Sequence, residues 1–585
     1  MSAPERTVEA EASTIESTLG ADRSADDAAL RREKRGVGVG AVLLGLFACA
    51  WSTLGADLSD DAYNIGSAWR MSLGDQPFVD DMSVRALGSF LAVPFTWLWT
   101  QLFGMTGLVL ASRVFFVVVA FGVGYLAYRA LGTSFRPIVA AVAVAVPLMA
   151  LPYHLGQISY NTMPIFGLVL GTAAGFAAIR QGNRHWAYAC GAAAAAGAIS
   201  HPLTAPGFVI LFVAVLVLAR RRNLIVALIL GALTVSLPFS LWILLGPGLT
   251  LVSDTVRFMT DVQEAFLPPR QRLDVAIDTY TFNLGLRKYW PMWGAAAVAT
   301  LPRIPDLIRG AALAAVPFLA AVPSFHIMQN TDVVGFGRTT GIFLTVVSLA
   351  LVVPVTVWSV RSRRRDVGLL IALALPVAIV QVPLTATTTA SGVGWGALAV
   401  GVCSLLMALI AGWATILGGI GLRLLIPSAA GLVTVVAALL TFTPFKDPFP
   451  WQLTTRITSG PFAGVSTDAA SAGRIALMTS VGNEWVRPAD GVLLYGIAGD
   501  YLLMPGKPLT NIMWLHPGEA NQAVLEYFER IGDTPDVVIV HRGLVEQHGG
   551  FDALAETDPL ISYVTANYEQ VDQDQDYVVV FRRND

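Results

Sequence analysis

The stretch Asp57-Leu-Ser-Asp60-Asp61-Ala-Tyr63-Asn-Ile-Gly-Ser-Ala-Trp-Arg70-Met-Ser-Leu-Gly74-Asp75-Gln-Pro-Phe78-Val-Asp80-Asp81-Met-Ser-Val-Arg85 is the densest cluster of carboxylates in a chain that otherwise avoids charge. It follows directly on the first long apolar run. Ionisable groups between apolar segments are costly to keep beside lipid unless something uses them, so this stretch reads as a functional external loop.

Composition agrees with a loop set among membrane helices. Of 585 residues, 55% are hydrophobic and only 14% charged, with a mean hydropathy of +0.61, which identifies a polytopic membrane protein. A net charge of -3 implies no bulk attraction to nucleic acid. Cys49, Cys190 and Cys403 lie inside apolar runs and read as small hydrophobes; their spacing fits neither a zinc site nor a disulfide framework.

Residues 1–36 lack hydrophobic periodicity and end in Arg31, Arg32, Lys34 and Arg35, which reads as a disordered cytoplasmic tail. The run that follows starts too late for a cleavable signal peptide. Candidate spans are 37–56, 106–130, 136–153, 161–179, 186–201, 203–219, 223–246, 289–302, 310–325, 339–359, 367–386, 394–416 and 423–443. With the tail inside, alternate loops carry Arg129 and Arg136, Arg180 and Arg184, Arg220 to Arg222, Arg303 and Arg309, Arg361 with Arg363 to Arg365, and Arg423. Every inside loop is basic, and the pattern closes with about thirteen transmembrane helices.

Residues 86–104 are apolar enough to span, but counting them would invert every later loop, so Trp97, Trp99 and Phe103 are read as anchors of an interfacial helix. The expected organisation is a membrane domain over 37–443, with the external loop 57–105, a short loop near His154 and a long loop over 247–288 outside. A C-terminal extracytoplasmic α/β domain follows over 444–585. In that domain 491–496, 536–541 and 577–581 read as strands and 519–531 as an amphipathic helix. Gly36, Gly38 and Gly40, like Gly167, Gly171 and Gly175, are read as close helix packing rather than a nucleotide motif.

Chemistry must then come from outer-face polar groups. Asp60, Asp61, Asp80 and Asp81 are either solvated acids and helix caps or a set with a general base among them. Arg85, Arg257, Arg270, Arg272, Arg287, Lys288 and Arg338 run against the positive-inside bias, and His154 and His201 lie at outer ends of spans. They either snorkel to headgroups or face a cavity, where cations beside carboxylates suit a phosphate leaving group.

The order Asp60-Asp61-Ala-Tyr63, Gly74-Asp-Gln-Pro-Phe78-Val-Asp80, interfacial helix, Leu102-Phe-Gly104, then Arg113 and Arg129, resembles the integral-membrane glycosyltransferases with the GT-C fold. It is most similar to the branch of protein O-mannosyltransferases and lipid A aminoarabinose transferases, over roughly residues 37–250. The resemblance implies inverting transfer of a sugar from a polyprenyl-phosphate donor to a hydroxyl of a glycan, lipid or protein acceptor on the outer face of the plasma membrane. It implies Asp60 as catalytic base, Asp61 where Glu is usual and Asp80 as second acid. Asp81-Met-Ser-Val stands where a Pro-rich segment is common, and the Trp-Trp-Asp of oligosaccharyltransferases is absent. Arg85, Arg287, Lys288, Arg338, His154 and His201 are candidates for the donor phosphate. A divalent metal on Asp60, Asp80 and His154 is a further option, although their spacing gives no specific support. The competing reading is a transporter or flippase, for which the polar break at Gln381 to Ser391 is the relevant feature.

Overall fold

The computed structural model describes residues 3–149, 151, 156–266, 271, 274, 286–330, 339–386, 398–442, 448–517, 521–572 and 577–584. Helix α1 (Ala3–Trp51) opens the chain. The tail expected to be disordered lies within it, in keeping with its many Ala, Glu and Arg residues, which are good helix formers. There follow α2 (Asp60–Leu73), a 3-10 turn (Val84–Ala92), α3 (Val93–Phe103), α4 (Leu108–Leu131), α5 (Pro137–Leu148), α6 (Met163–Gln181), α7 (Arg184–Ser200), α8 (Ala205–Ala219), α9 (Arg222–Leu245) and α10 (Gly248–Phe266). Among the described residues six more helices follow: Trp290–Thr300, Asp306–Asn330, Thr339–Arg361, Arg365–Ala386, Leu398–Ile420 and Leu422–Phe442.

Each of the thirteen expected spans contains a helix, but length separates them. Eleven helices among the described residues are long and apolar enough to cross a membrane, and Val84–Phe103 is one of these. α5, α7 and Trp290–Thr300 fall short of the 20 or so residues a bilayer takes, whereas α8 is lengthened by the turn Pro202–Thr204 that leads into it. Length and hydropathy alone would make Val84–Phe103 a span; its ends argue otherwise. Just before it, the Met82 amide donates to the Asn511 carbonyl at 2.6 Å, and just after it the Gly107 amide donates to the Gly460 carbonyl at 2.9 Å. A segment whose two flanks bond one and the same domain starts and finishes on one side, as an interfacial helix does. Its exposed Phe90, Leu91, Trp97, Leu98, Leu102 and Phe103 then suit the acyl boundary.

Helix crossings in the membrane part are set by small residues. A Cβ on Gly191 of α7 would meet the Leu228 carbonyl oxygen at 2.0 Å, and one on Gly231 of α9 would meet the Tyr188 carbonyl oxygen at 2.0 Å. These reciprocal glycines let the two backbones touch. Gly167 and Gly175 of α6 are hemmed in by Phe208 and Val215 of α8, as expected. Gly36, Gly38 and Gly40 meet no described neighbour within 4 Å, so the close packing expected of them is not found.

The C-terminal part is an α/β domain built on a five-stranded sheet of order β4 (Lys507–Pro508), β3 (Gly491–Tyr495), β5 (Val537–His541), β7 (Val578–Arg583), β6 (Tyr568–Asp572). β4, β3 and β5 are parallel, and β7 runs antiparallel to both β5 and β6. Strands β3, β5 and β7 read as continuous apolar runs because both sheet faces are covered. Val492, Leu494, Val537, Ile539, Val578 and Val580 share a core with Ala62, Tyr63, Ile65 and Trp69 of α2. Leu493, Tyr495, Val538, Val540 and Phe581 share another with helix Gln522–Ile531 and with Phe258 and Met259 of α10. The external loop after the first span is thus one wall of the C-terminal domain rather than a separate piece. A hairpin of β1 (Thr455–Arg456) and β2 (Ser466–Thr467) bonds to the chain beside α1, where the Gly55 amide donates to the Ser466 carbonyl at 2.9 Å.

Candidate functional site

Helix α2 presents the acids, and its N-terminus is capped by Asp57 rather than by Asp60. Asp57 Oδ1 accepts the Ser59 amide at 2.9 Å and Oδ2 the Asp61 amide at 2.8 Å. Asp60 and Asp61 occupy the first turn, where the helix dipole favours negative charge. One residue apart on a helix, they point about 100° away from each other, and the surroundings divide them.

Asp61 is 1% exposed. Arg113 reaches it from α4, Nε donating to Oδ2 at 3.0 Å and Nη2 at 2.5 Å. Arg113 Nη1 also donates to the carbonyls of Ser52, Leu54 and Gly55 at 3.0 to 3.1 Å. Burial pushes the Asp61 carboxyl above the usual carboxylate range, against the pull of Arg113. One guanidinium therefore joins the end of α1, the start of α2 and the first half of α4.

Asp60 is half-buried and faces a different group. Its carbonyl accepts Asn64 Nδ2 at 2.6 Å and Gln157 Nε2 at 3.2 Å. Tyr160, in the turn before α6, is the hub of its surroundings. The Arg85 guanidinium lies over the Tyr160 ring, 5.5 Å from the centroid, and the His201 ring meets it edge-on at 5.3 Å. Burial pushes the Tyr160 phenol up, Arg85 pulls it down, and Asp60 adds to the rise, so Asp60, Arg85 and Tyr160 lie within electrostatic reach of one another. The structure thus brings Asp60, Arg85 and His201 together around an aromatic ring that sequence reasoning had not singled out. Backbone contact holds this arrangement closed: a Cβ on Gly88 would lie 2.0 Å from the Tyr160 nitrogen.

The second acidic pair lies at the other end of α2. Asp80 Oδ2 accepts the Gln76 amide at 2.8 Å and closes the turn between them. Asp81 is buried at 4% exposure, and burial pushes its carboxyl up to about 6, against the pull of Arg70. Arg70, 1% exposed, pairs with Asp75 at 2.6 Å and donates to the carbonyls of Asp80 at 2.7 Å and Thr510 at 2.8 Å. Between these acids Phe78 takes a left-handed φ of 71°, unusual for a residue with a side chain, with its ring packed near Leu87, Trp242 and Ile243. Tyr63 donates to Ser83 Oγ at 3.0 Å, and its phenol is pushed up by burial and by Asp81 while Arg85 pulls it down. Tyr63 therefore links the two acid pairs.

Lys288 is exposed on the turn Leu286–Tyr289, ahead of helix Trp290–Thr300. His154, Arg338, Arg270, Arg272 and the side chain of Arg287 lie outside the described residues. Among the described residues no group of three or more His, Cys, Asp or Glu side chains converges as a metal ion requires. Arg113, named in the motif but given no role, carried a visible signal as a cation inside an apolar run, and so did Arg70, which was missed, as a cation among six acids. Tyr160, Asn64 and Gln157 carried none.

No protein-family model matches the chain, and no curated protein matches it. Among solved structures, ArnT from Cupriavidus metallidurans bound to undecaprenyl phosphate is similar at 15% identity and a TM-score of 0.40, over 93% of this chain and 98% of that one. The apo form of the same protein is similar at 14% identity and a TM-score of 0.38, over 94% and 98% of the two chains. ArnT is a lipid A aminoarabinose transferase.

Proposed function

We propose that the chain is an integral-membrane glycosyltransferase that moves a sugar from a polyprenyl-phosphate donor to an acceptor hydroxyl at the outer membrane face. The observation that carries this reading is the meeting of Asp60, a residue of the family-like motif, with Arg85, His201 and Tyr160. A polyprenyl phosphate already leaves readily, so no general acid is called for. The task is to take a proton from the acceptor and to balance the charge that develops on the leaving phosphate.

In this reading Asp60 accepts the proton of the acceptor hydroxyl. The acceptor oxygen bonds to the anomeric carbon from the face opposite the phosphate, the carbon–oxygen bond to phosphate breaks with its electron pair on the phosphate, and the anomeric centre inverts. Arg85 is the cation for that phosphate, and Tyr160 fixes it by lying under the guanidinium plane. Asp61 acts through Arg113 as a positioning residue for the α2 terminus. We assign Asp80 to loop geometry, since its carboxylate holds the Gln76 amide. Arg287, Lys288, Arg338, His154 and His201 are further candidates for the phosphate.

Purified protein incubated with polyprenyl-phosphate sugars and candidate acceptors should release polyprenyl phosphate. Asp60→Asn should lower turnover by roughly 10²- to 10⁴-fold, the usual contribution of a general base, with little change in melting temperature because the group is only half-buried. Arg85→Gln should weaken donor use by about 2 kcal/mol with every acceptor, because the phosphate belongs to the donor. Near-wild-type release from Asp60→Asn would remove the base assignment. Flux of intact lipid across vesicles without consumption of sugar would favour the flippase reading instead.

A further inference from the structure

Beside Asn64 and Gln157, the two residues that hold the Asp60 carbonyl, residues of α2, the segment Val84–Phe103, α4 and the stretch before α6 line a small cavity. It leaves about 10 Å³ for the centre of a water molecule, and one water needs on the order of 10–15 Å³ by that measure. Its walls include Asn64 and Ala68 of α2, Thr96 of α3, Ser112 and Phe115 of α4, and Gln157.

Three polar atoms of this wall are fully buried and find no partner among the described residues: Asn64 Oδ1, Thr96 Oγ and Gln157 Oε1. Asn64 and Thr96 are each 1% exposed, as is Gln157. Leaving three such groups unmade costs roughly 1–3 kcal/mol each, so native proteins satisfy them, commonly with ordered water. The two carboxamides cannot resolve the matter by flipping. Their nitrogens already donate to the Asp60 carbonyl, at 2.6 Å and 3.2 Å, which directs both oxygens away from it.

We propose that this cavity holds one ordered water that donates to Asn64 Oδ1 and Gln157 Oε1 and accepts from the Thr96 hydroxyl, and that these three side chains act through it as positioning residues for Asp60. The hydrogen-bond count closes: two acceptors meet the two water protons, and one hydroxyl proton meets a water lone pair. The water thereby ties the carboxamides that grip the Asp60 carbonyl to α3, the helix at the membrane interface. The positioning role rests on the transferase reading above; the bound water does not.

The test has two arms. A high-resolution density map of the protein in lipid nanodiscs should show one water between Asn64, Thr96 and Gln157, whatever reaction the protein performs. In the polyprenyl-phosphate release assay, Thr96→Val should lower kcat about tenfold with KM for the donor unchanged, and Thr96→Ser should restore it. Thr96→Val combined with Gln157→Leu should cost little more than Gln157→Leu alone, because the water through which Thr96 acts is already lost with the Gln157 carboxamide. A well-ordered map without density at that point overturns the water. Density present with wild-type kcat in Thr96→Val overturns the positioning role. Density present with no release by the wild type leaves the water standing and removes the transferase reading.

Discussion

The two ends of α2 solve the same problem with different partners. At its start, the adjacent acids Asp60 and Asp61 are split into one half-buried group facing Tyr160 and one buried group held by Arg113 from a membrane helix. Beyond its end, Asp80 and Asp81 are split in the same way, into one half-buried group that closes a turn and one buried group beside Arg70. Arg70 then bonds the Thr510 carbonyl of the C-terminal domain. One end of the helix is bolted to the membrane part and the other to the C-terminal domain. A run of acids in sequence is therefore two alternating sets, because neighbours on a backbone cannot face the same surroundings, and only the more exposed member of each is available to a substrate.

The comparison breaks most visibly if a bolt is removed. Arg113→Met leaves the Asp61 carboxylate buried without its cation and three carbonyls without their donor, and should destabilise the protein by about 3–5 kcal/mol. Thermal unfolding in detergent should register the loss, together with protease cleavage near Asp57. A variant that melts with the wild type would mean that Asp61 needs no partner.

Asp81 gives the next largest effect. Its carboxyl, pushed up to about 6 by burial, holds a proton more tightly folded than unfolded. Its contribution is complete below the unfolded value near 4 and is lost as the pH rises through 6, a swing on the order of 3 kcal/mol by pH 7. Asp500, also buried and pushed up to about 6, adds a slope of the same sign. Melting temperatures from pH 4 to 7 should therefore fall less steeply for Asp81→Asn than for wild type. Identical slopes would show that Asp81 does not titrate in that window.

The smallest effect belongs to Asp80. Replacement by Asn keeps an acceptor for the Gln76 amide, so Asp80→Asn should change stability by less than about 1 kcal/mol and turnover by less than threefold. A loss comparable to that of Asp60→Asn would return Asp80 to the reacting centre and undo the parallel between the two pairs.

Much of the architecture could be read in advance, because membrane helices and buried strands leave apolar runs of distinct length. The runs 491–496, 536–541 and 577–581 appear as β3, β5 and β7 within two residues of the expected limits. The interfacial reading of 86–104 rested on the basic loops around it, and its flanking bonds to Asn511 and Gly460 agree. Other features could not be seen. The docking of α2 on the sheet joins residues more than 400 positions apart, and apolar residues such as Ala62, Ile65 and Trp69 look alike whether they meet lipid or a partner domain. Arg113 was visible as an anomaly in a membrane run, yet only geometry shows which of two adjacent acids it takes. Tyr160 has no charge and no motif around it, so its place beneath Arg85 is a property of the fold.

The shared core of α2 and the C-terminal sheet has a consequence for biosynthesis. Tyr63 and Trp69 leave the ribosome long before Val492, Ile539 and Val580, on the order of tens of seconds at usual rates of chain growth. Through that interval every membrane helix can be inserted while α2 lacks the surface it packs on. The acidic loop acquires its final geometry only once the last strand of the sheet has been made and has paired, so a half-made chain holds the right residues without yet having them in place.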